Sequence, residues 1–263
     1  MILNSEKIAN LRVAGEKLVA VLEKIKAEIK SGTNLQDIAR LAENEIKRHG
    51  GLPSFQGYQG YPSSICLSVN DQIVHCPPSD TTLRDGDVIS VDLGLYYKGV
   101  HADAAFTWPV GQISPNAKRL LAGTYAALLA GTSQVKPGAK VNDISSAIEK
   151  MLKAKGLTIF RQFVGHGVGA QLHEEPMIPN FSTPGRTAKL VPGMAIALEP
   201  IAGLGEEEVI TEADDWSTRS ADGKPAAHFE HTVLVTDTGY EVITPLGTLI
   251  GSPKSWLIHG KIE

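Results

Sequence analysis

Apolar residues recur three and four positions apart near the start of the chain, at Leu11, Ala14, Leu18, Leu22, Ile25 and Ile29. That spacing predicts a helix with one stripe turned inward, capped by Ser5 and ended at Gly32. A second helix is expected with Leu35, Ile38, Ala42 and Ile46 inward, opened by a Thr33/Gln36 capping box and stopped by Gly50-Gly51. The period then changes to two. After a Gly, Tyr and Pro loop from Gly57 to Ser64, residues Ile65, Leu67 and Val69 read as a short strand. Asn70-Asp71 turns the chain towards Val74 and His75. From Val88 to Thr107, VISVDLGLYYKGVHADAAFT reads as two strands folded back at Lys98-Gly99, with Tyr97 facing Val100.

The second half repeats this plan. Ser114-Pro115 open a helix with Leu120, Tyr125, Leu128 and Leu129 apolar. VKPGAKVNDI then lies over IKSGTNLQDI at an offset of 106, and Gly156 follows Gly50 at the same distance. PGMAIALEP lies over DGDVISVDL at 107, pairing Gly193 with Gly86, Ile196 with Ile89 and Glu199 with Asp92. HFEHT resembles HADAA, pairing His228 with His101 and Glu230 with Asp103. A single long repeat predicts two similar halves, about 1–110 and 111–250, closing on an approximate two-fold axis within one domain spanning 1–263. Two helices and several antiparallel strands per half give an α+β class, with helices covering a sheet.

Composition narrows the function classes. A chain of 263 residues with 42% hydrophobic and 21% charged residues is that of an ordinary globular protein. A net charge of −4 and no dense Lys/Arg run argue against a protein built for nucleic acid or an anionic membrane. The opening MILNSEKIAN lacks a signal pattern, and no apolar run approaches the roughly 18 residues of a membrane span, so the cytoplasm is expected. Two cysteines, Cys66 and Cys76, fit a reducing compartment without a disulfide.

The acidic residues carry the chemistry. Side-chain alternation puts Asp92 and Asp103 on one sheet face in diagonal reach, among apolar neighbours where paired negative charge is unfavourable. A cation resolves the repulsion. The repeat adds Glu199 and Glu230, so four carboxylates are expected to converge on a divalent metal. One histidine ligand would shift the choice towards manganese, iron, cobalt or zinc, and His166 in FVGHGVG, after an apolar strand from Leu157 to Val164, is the best candidate. GHGVGA loosely matches a dinucleotide fingerprint, but Pro176 and Pro179 break the helix that motif must open. Neither a phosphate-binding loop nor a serine elbow is present. Two metals sharing a water imply hydrolysis, with His75 and His173 as candidate neutral groups beside the substrate.

The order Asp92, Asp103, His166, Glu199, Glu230, set in VDLGLYYKGVHADAAFT, GHGVG, LHEEP, ALEP and FEHT, resembles the methionine aminopeptidases of the pita-bread fold. The likeness is closest to the short bacterial type I enzymes and runs from KIANLRVAGEKL to FEHTVLVTDTGYEVIT. It implies a two-metal exopeptidase that removes the initiator methionine from nascent polypeptides whose second residue is small, as a cytoplasmic monomer. By the same resemblance, Asp103 and Glu230 bridge both metals, Asp92 chelates one, and His166 with Glu199 completes the other. Glu199 takes the proton of the attacking water, His173 contacts the scissile carbonyl, and His75 lies near the substrate amide nitrogen. Tyr58, Tyr61, Cys66 and Trp216 hold the methionine side chain. Four departures bear on pocket shape and second-residue preference. Cys76-Pro77-Pro78 follow His75 in place of Gly-Ile-Pro, Leu172 replaces phenylalanine, Phe55 replaces cysteine, and His228 replaces glutamine. A prolidase or aminopeptidase P shares the ligands but carries an extra N-terminal domain for which 263 residues leave no room. A non-catalytic peptide-binding module of the same fold would be expected to lose ligands, and all five are present.

Overall fold

A computed structural model describes residues 2–185 and 187–245; the end of the expected second half lies outside these described residues. Among the described residues four α-helices, α1 (Ser5–Glu28), α2 (Leu35–Arg48), α3 (Pro115–Thr132) and α4 (Val141–Ala154), pack with antiparallel strands around one main apolar core. None of the described helices is long and apolar enough to cross a membrane.

The predicted stripe of α1 is buried from Leu11 to Ile25, but the helix ends at Glu28 rather than at Gly32, leaving Ile29 half-buried at its C-cap, and two caps differ from expectation. Asn4, one residue before Ser5, holds the N-cap, its side chain accepting from Lys7 N at 2.9 Å. Asn34 likewise caps α2 by accepting from Gln36 N at 2.8 Å, while the neighbouring Thr33 hydroxyl donates to the Glu28 carbonyl at 2.7 Å and closes α1 instead. In both cases two adjacent residues can cap, and the asparagine sits where the backbone is extended. Ser114 caps α3 as expected.

The duplication is written into the backbone hydrogen bonds. The bounds of α4 are those of α2 shifted by 106. Gly32 N donates to Leu83 O and Gly138 N to Leu190 O, both at 2.8 Å; Leu35 N donates to Thr81 O and Val141 N to Ala188 O, both at 2.9 Å. Gly32 and Gly138 bend the chain before these helices with φ of +91° and +80°, which only glycine adopts cheaply.

The first hairpin pairs Val88–Tyr97 with Val100–Pro109 and turns at Lys98 (φ +43°) and Gly99 (φ +85°). Cys66–Val69 pairs along its other edge, placing Cys66 against Asp92. The second hairpin pairs Ala195–Leu198 with His231–Val235, flanked by Val164–Gly167 and Tyr240–Val242. The two are stitched together: Glu230 N donates to Ala105 O at 2.8 Å, and Thr232 Oγ1 accepts from Asp103 N at 2.9 Å while donating to Asp103 O at 2.8 Å.

Two further expectations are revised. Residues Leu157 to Val164 are not one strand; Thr158–Ile159 and Val164–Gly167 join different sheets, because the polar pair Arg161-Gln162 turns outward and Phe160 dives into a smaller apolar cluster. Leu198 pairs with His231 and Ile201 with His228 in one register, so Glu199 stands opposite Glu230. Asp92, by contrast, pairs with Ala105, and Asp103 with Gly94. By strand pairing Glu230 therefore corresponds to Ala105 rather than Asp103, a two-residue shift that keeps its carboxylate on the same sheet face.

Candidate metal centre and substrate pocket

The stitched hairpins bring the acidic side chains to one buried spot. Asp92 and Asp103 come from the first hairpin, Glu199 follows the strand Ala195–Leu198, Glu230 precedes His231–Val235, and His166 stands in Val164–Gly167. Asp103, His166 and Glu230 each offer a ligand atom within 4.8 Å of the others, and His166 Nε2 lies 3.4 Å from Glu199 Oε1. Buried Asp103 Oδ1 and Glu230 Oε1 have no hydrogen-bond partner.

Electrostatics match that geometry. Burial pushes the Asp103 carboxyl up to about 7. Asp92, Glu199 and Glu230 are pushed well above the ordinary carboxylate range, first by burial and then by neighbouring carboxylates, Asp103 for Asp92, Asp92 and Asp103 for Glu199, and Asp103 ahead of the others for Glu230. Burial holds His166 down at about 3, hence neutral, and its Nδ1–H donates to Gly167 O at 2.9 Å, leaving the Nε2 lone pair towards the carboxylates. Crowded buried carboxylates with orphaned oxygens, beside an imidazole fixed with its lone pair inward, suit a divalent cation.

Beside this cluster opens a cavity of about 550 Å³, lined among others by Asp92, Asp103, Glu199, Glu230, His75, His166 and His173. Its apolar end is a separate cluster of Phe55, Tyr61, Cys66 and Leu172, with Tyr58 and Trp216 packed against it. Tyr61 stands edge-on to Trp216 with ring centres 5.1 Å apart, and its hydroxyl donates to Ile65 O at 3.2 Å. Burial, then the Asp92 charge, pushes the Cys66 thiol up, so it behaves as a small soft wall. Cys66 and Cys76 are both free. Of the departures in sequence, Phe55 and Leu172 line the cavity, whereas Cys76 is buried outside that lining with its thiol 3.5 Å from Val74 O.

The two candidate substrate histidines are held differently. His75, at φ +60°, sets its ring edge-on to Phe163 at 5.9 Å; burial, then His173, holds it at about 4. His173 Nδ1 is hydrogen-bonded to Tyr58 Oη at 2.8 Å, and its ring lies 4.2 Å from that of His166. Every site residue expected from sequence thus borders the cavity. Sequence reasoning missed Gln162, Phe163, Glu174, Glu175 and Met177, which also line it. The adjacency of Glu174 and Glu175 to His173 was the available signal, while Phe163 lies in the turn before Val164–Gly167 and Met177 in the strand Glu174–Pro179, with nothing in the local pattern to mark either.

A model for "Metallopeptidase family M24" matches residues 9–237. The methionine aminopeptidase 1 of Bacillus subtilis is 42% identical over 89% of this chain and 94% of its own length, and the methionine aminopeptidase of Clostridium perfringens 40% identical over 92% and 97%. Among solved structures, a methionine aminopeptidase from Thermotoga maritima superposes with a TM-score of 0.91 at 36% identity, covering 93% of this chain and 98% of that one. A prolidase from Pyrococcus furiosus reaches 0.77 at 23% identity, covering 93% and 65%, a likeness of fold alone. The α+β pita-bread architecture, the buried acidic centre and these likenesses agree: the chain belongs to metallopeptidase family M24 and, within it, to the methionine aminopeptidases.

Proposed function

We infer that this chain hydrolyses the first peptide bond of polypeptides that begin with methionine followed by a small residue, releasing the methionine. The observation that carries this reading is the junction of the acidic cluster with a pocket walled by aromatic rings and a thiol, a surface that suits a thioether. A metallopeptidase uses divalent metal. We assign two ions, which Asp92, Asp103, His166, Glu199 and Glu230 would hold: Asp103 and Glu230 would serve both, Asp92 one, and His166 and Glu199 the other. When bound, they would polarise the scissile carbonyl and acidify a water.

The chain's own groups supply the rest. Glu199 accepts the water's proton; it lines the cavity with Oε1 3.4 Å from His166 Nε2, within the acidic cluster where that water would be held. His173, turned by its hydrogen bond to Tyr58, presents Nε2 towards the carbonyl oxygen as charge develops there. Neutral His75 sits beside the amide nitrogen. Phe55, Tyr58, Tyr61, Cys66, Leu172 and Trp216 enclose the methionine side chain. Nascent N-termini are the partners, in the cytoplasm, with the two halves acting as one monomeric catalytic unit. Manganese, iron, cobalt and zinc all suit the donor set. Purified protein loaded with Mn²⁺, Fe²⁺ or Co²⁺ should release methionine from Met-Ala-Ser; folded, loaded protein that leaves the tripeptide intact would refute the assignment.

A further inference from the structure

One buried ring beside the acidic cluster has no role in the scheme above. His228 is 1% exposed, and neither ring nitrogen has a hydrogen-bond partner. Its backbone is fixed: His228 N donates to Thr107 Oγ1 and His228 O accepts from it, both at 2.8 Å. Because that hydroxyl already donates, Ser90 Oγ must be the donor in its 2.8 Å contact with Thr107. The ring thus hangs from a rigid support, with Nε2 3.7 Å from Glu199 Oε2 and 3.9 Å from Glu230 Oε2.

A further metal ligand and a hydrogen-bond donor are both conceivable for such an imidazole, and the tautomer separates them. A ligating histidine donates its other N–H to a carbonyl or carboxylate. His166 does so, through Nδ1 to Gly167 O. His228 Nδ1 has no such acceptor. A neutral imidazole carries a single N–H, and among the described residues the acceptors this ring faces are the carboxylate oxygens 3.7 and 3.9 Å from Nε2. The carboxylate oxygens facing Nε2 are the favourable place for that proton. Rotating the side chains by about 0.7 Å would bring 3.7 Å into hydrogen-bond range.

We propose that His228 is a positioning residue in its Nε2–H tautomer, donating to Glu199 Oε2 so that Oε1 stays turned to His166 and the cavity. The assignment of Glu199 as ligand and proton acceptor rests on the function inferred above. Glu199 is then held at Oε2 by His228, while Oε1 stays 3.4 Å from the bare Nε2 of His166, its proposed co-ligand.

The test starts with the Zn²⁺-loaded protein carrying ¹⁵N-histidine, the His228 signal being assigned by its loss in His228→Gln. The expected spectrum shows Nε2 protonated and Nδ1 bare; the reverse overturns the proposal. In Co²⁺-loaded protein, His228→Gln should leave the visible absorption per bound ion unchanged, and a changed ligand-field spectrum would make His228 a ligand. On Met-Ala-Ser, His228→Ala should lower kcat about 10- to 100-fold with KM within about twofold, and His228→Gln, which keeps an N–H donor, should recover most of it. An alanine variant as fast as the parent, or a glutamine variant as slow as alanine, overturns the donor role. If the parent releases no methionine with any metal, the functional reading fails, while the tautomer and Co²⁺ spectra still decide the role of His228.

Discussion

Replacing Asp103 by asparagine should make the protein more stable without metal and less stable with it. The side chains have nearly the same shape, and the backbone hydrogen bonds of residue 103 with Thr232 remain. What changes is the charge. An Asp103 carboxyl held at about 7, against an ordinary 3.8, opposes folding once ionised. The sign runs opposite to that of a salt-bridged aspartate: the penalty is absent below about pH 4, grows as pH rises between the unfolded and folded values, and is complete near pH 8. Its ceiling is roughly 4 kcal/mol, reduced to about 2 to 4 because the buried amide needs hydrogen bonds of its own. In EDTA, urea denaturation should therefore find Asp103→Asn more stable than the parent by about 2 to 4 kcal/mol at pH 8, with that advantage lost towards pH 4, where only the pH-independent cost of the buried amide, about 0 to 2 kcal/mol against the variant, remains. In saturating Mn²⁺ the order should reverse, because a ligand shared by two ions has lost its charge. Metal content should fall towards zero together with activity. A metal-free variant no more stable than the parent at pH 8, or one retaining both ions, would refute the reasoning.

Two other variants probe other layers of the structure. His173→Ala should keep the metal content of the parent and lower kcat about 10²- to 10³-fold, as loss of a donor at a developing oxyanion does, and loss of metal in that variant would place His173 among the ligands instead. Gly15→Ala should destabilise by about 1 to 3 kcal/mol although alanine favours helix, because a Cβ there collides with the backbone carbonyl of Ile243; a variant at least as stable as the parent by thermal melting would show that this segment can yield.

Much of this architecture was legible because its signals are local. The 106-residue offset carries a helix start, a glycine bend and a helix end together, so α2 and α4 were readable at once. The pairing of Asp92 and Asp103 followed from one two-residue turn, since alternation fixes the faces once Tyr97 meets Val100. The misread features depend on choices that short-range patterns leave open. Asn4 and Asn34 took caps that their neighbours Ser5 and Thr33 could have held. The run from Leu157 to Val164 is apolar enough for a strand, yet which sheet takes each piece depends on where Phe160 finds a pocket. The register opposite Glu230 is set by pairing across residues far apart in sequence, and a shift of two leaves no trace in the hydrophobic pattern.

Thr232 acquires a meaning beyond sheet geometry. Its hydroxyl holds both the amide and the carbonyl of Asp103, a residue from the other half of the chain, so the two halves are joined at the acidic cluster itself. Neither half alone owns the centre. Cations bound there would act as a keystone, and opening either half would let them go. Metal loading should therefore turn two repeats that share a plan into one cooperative melting unit.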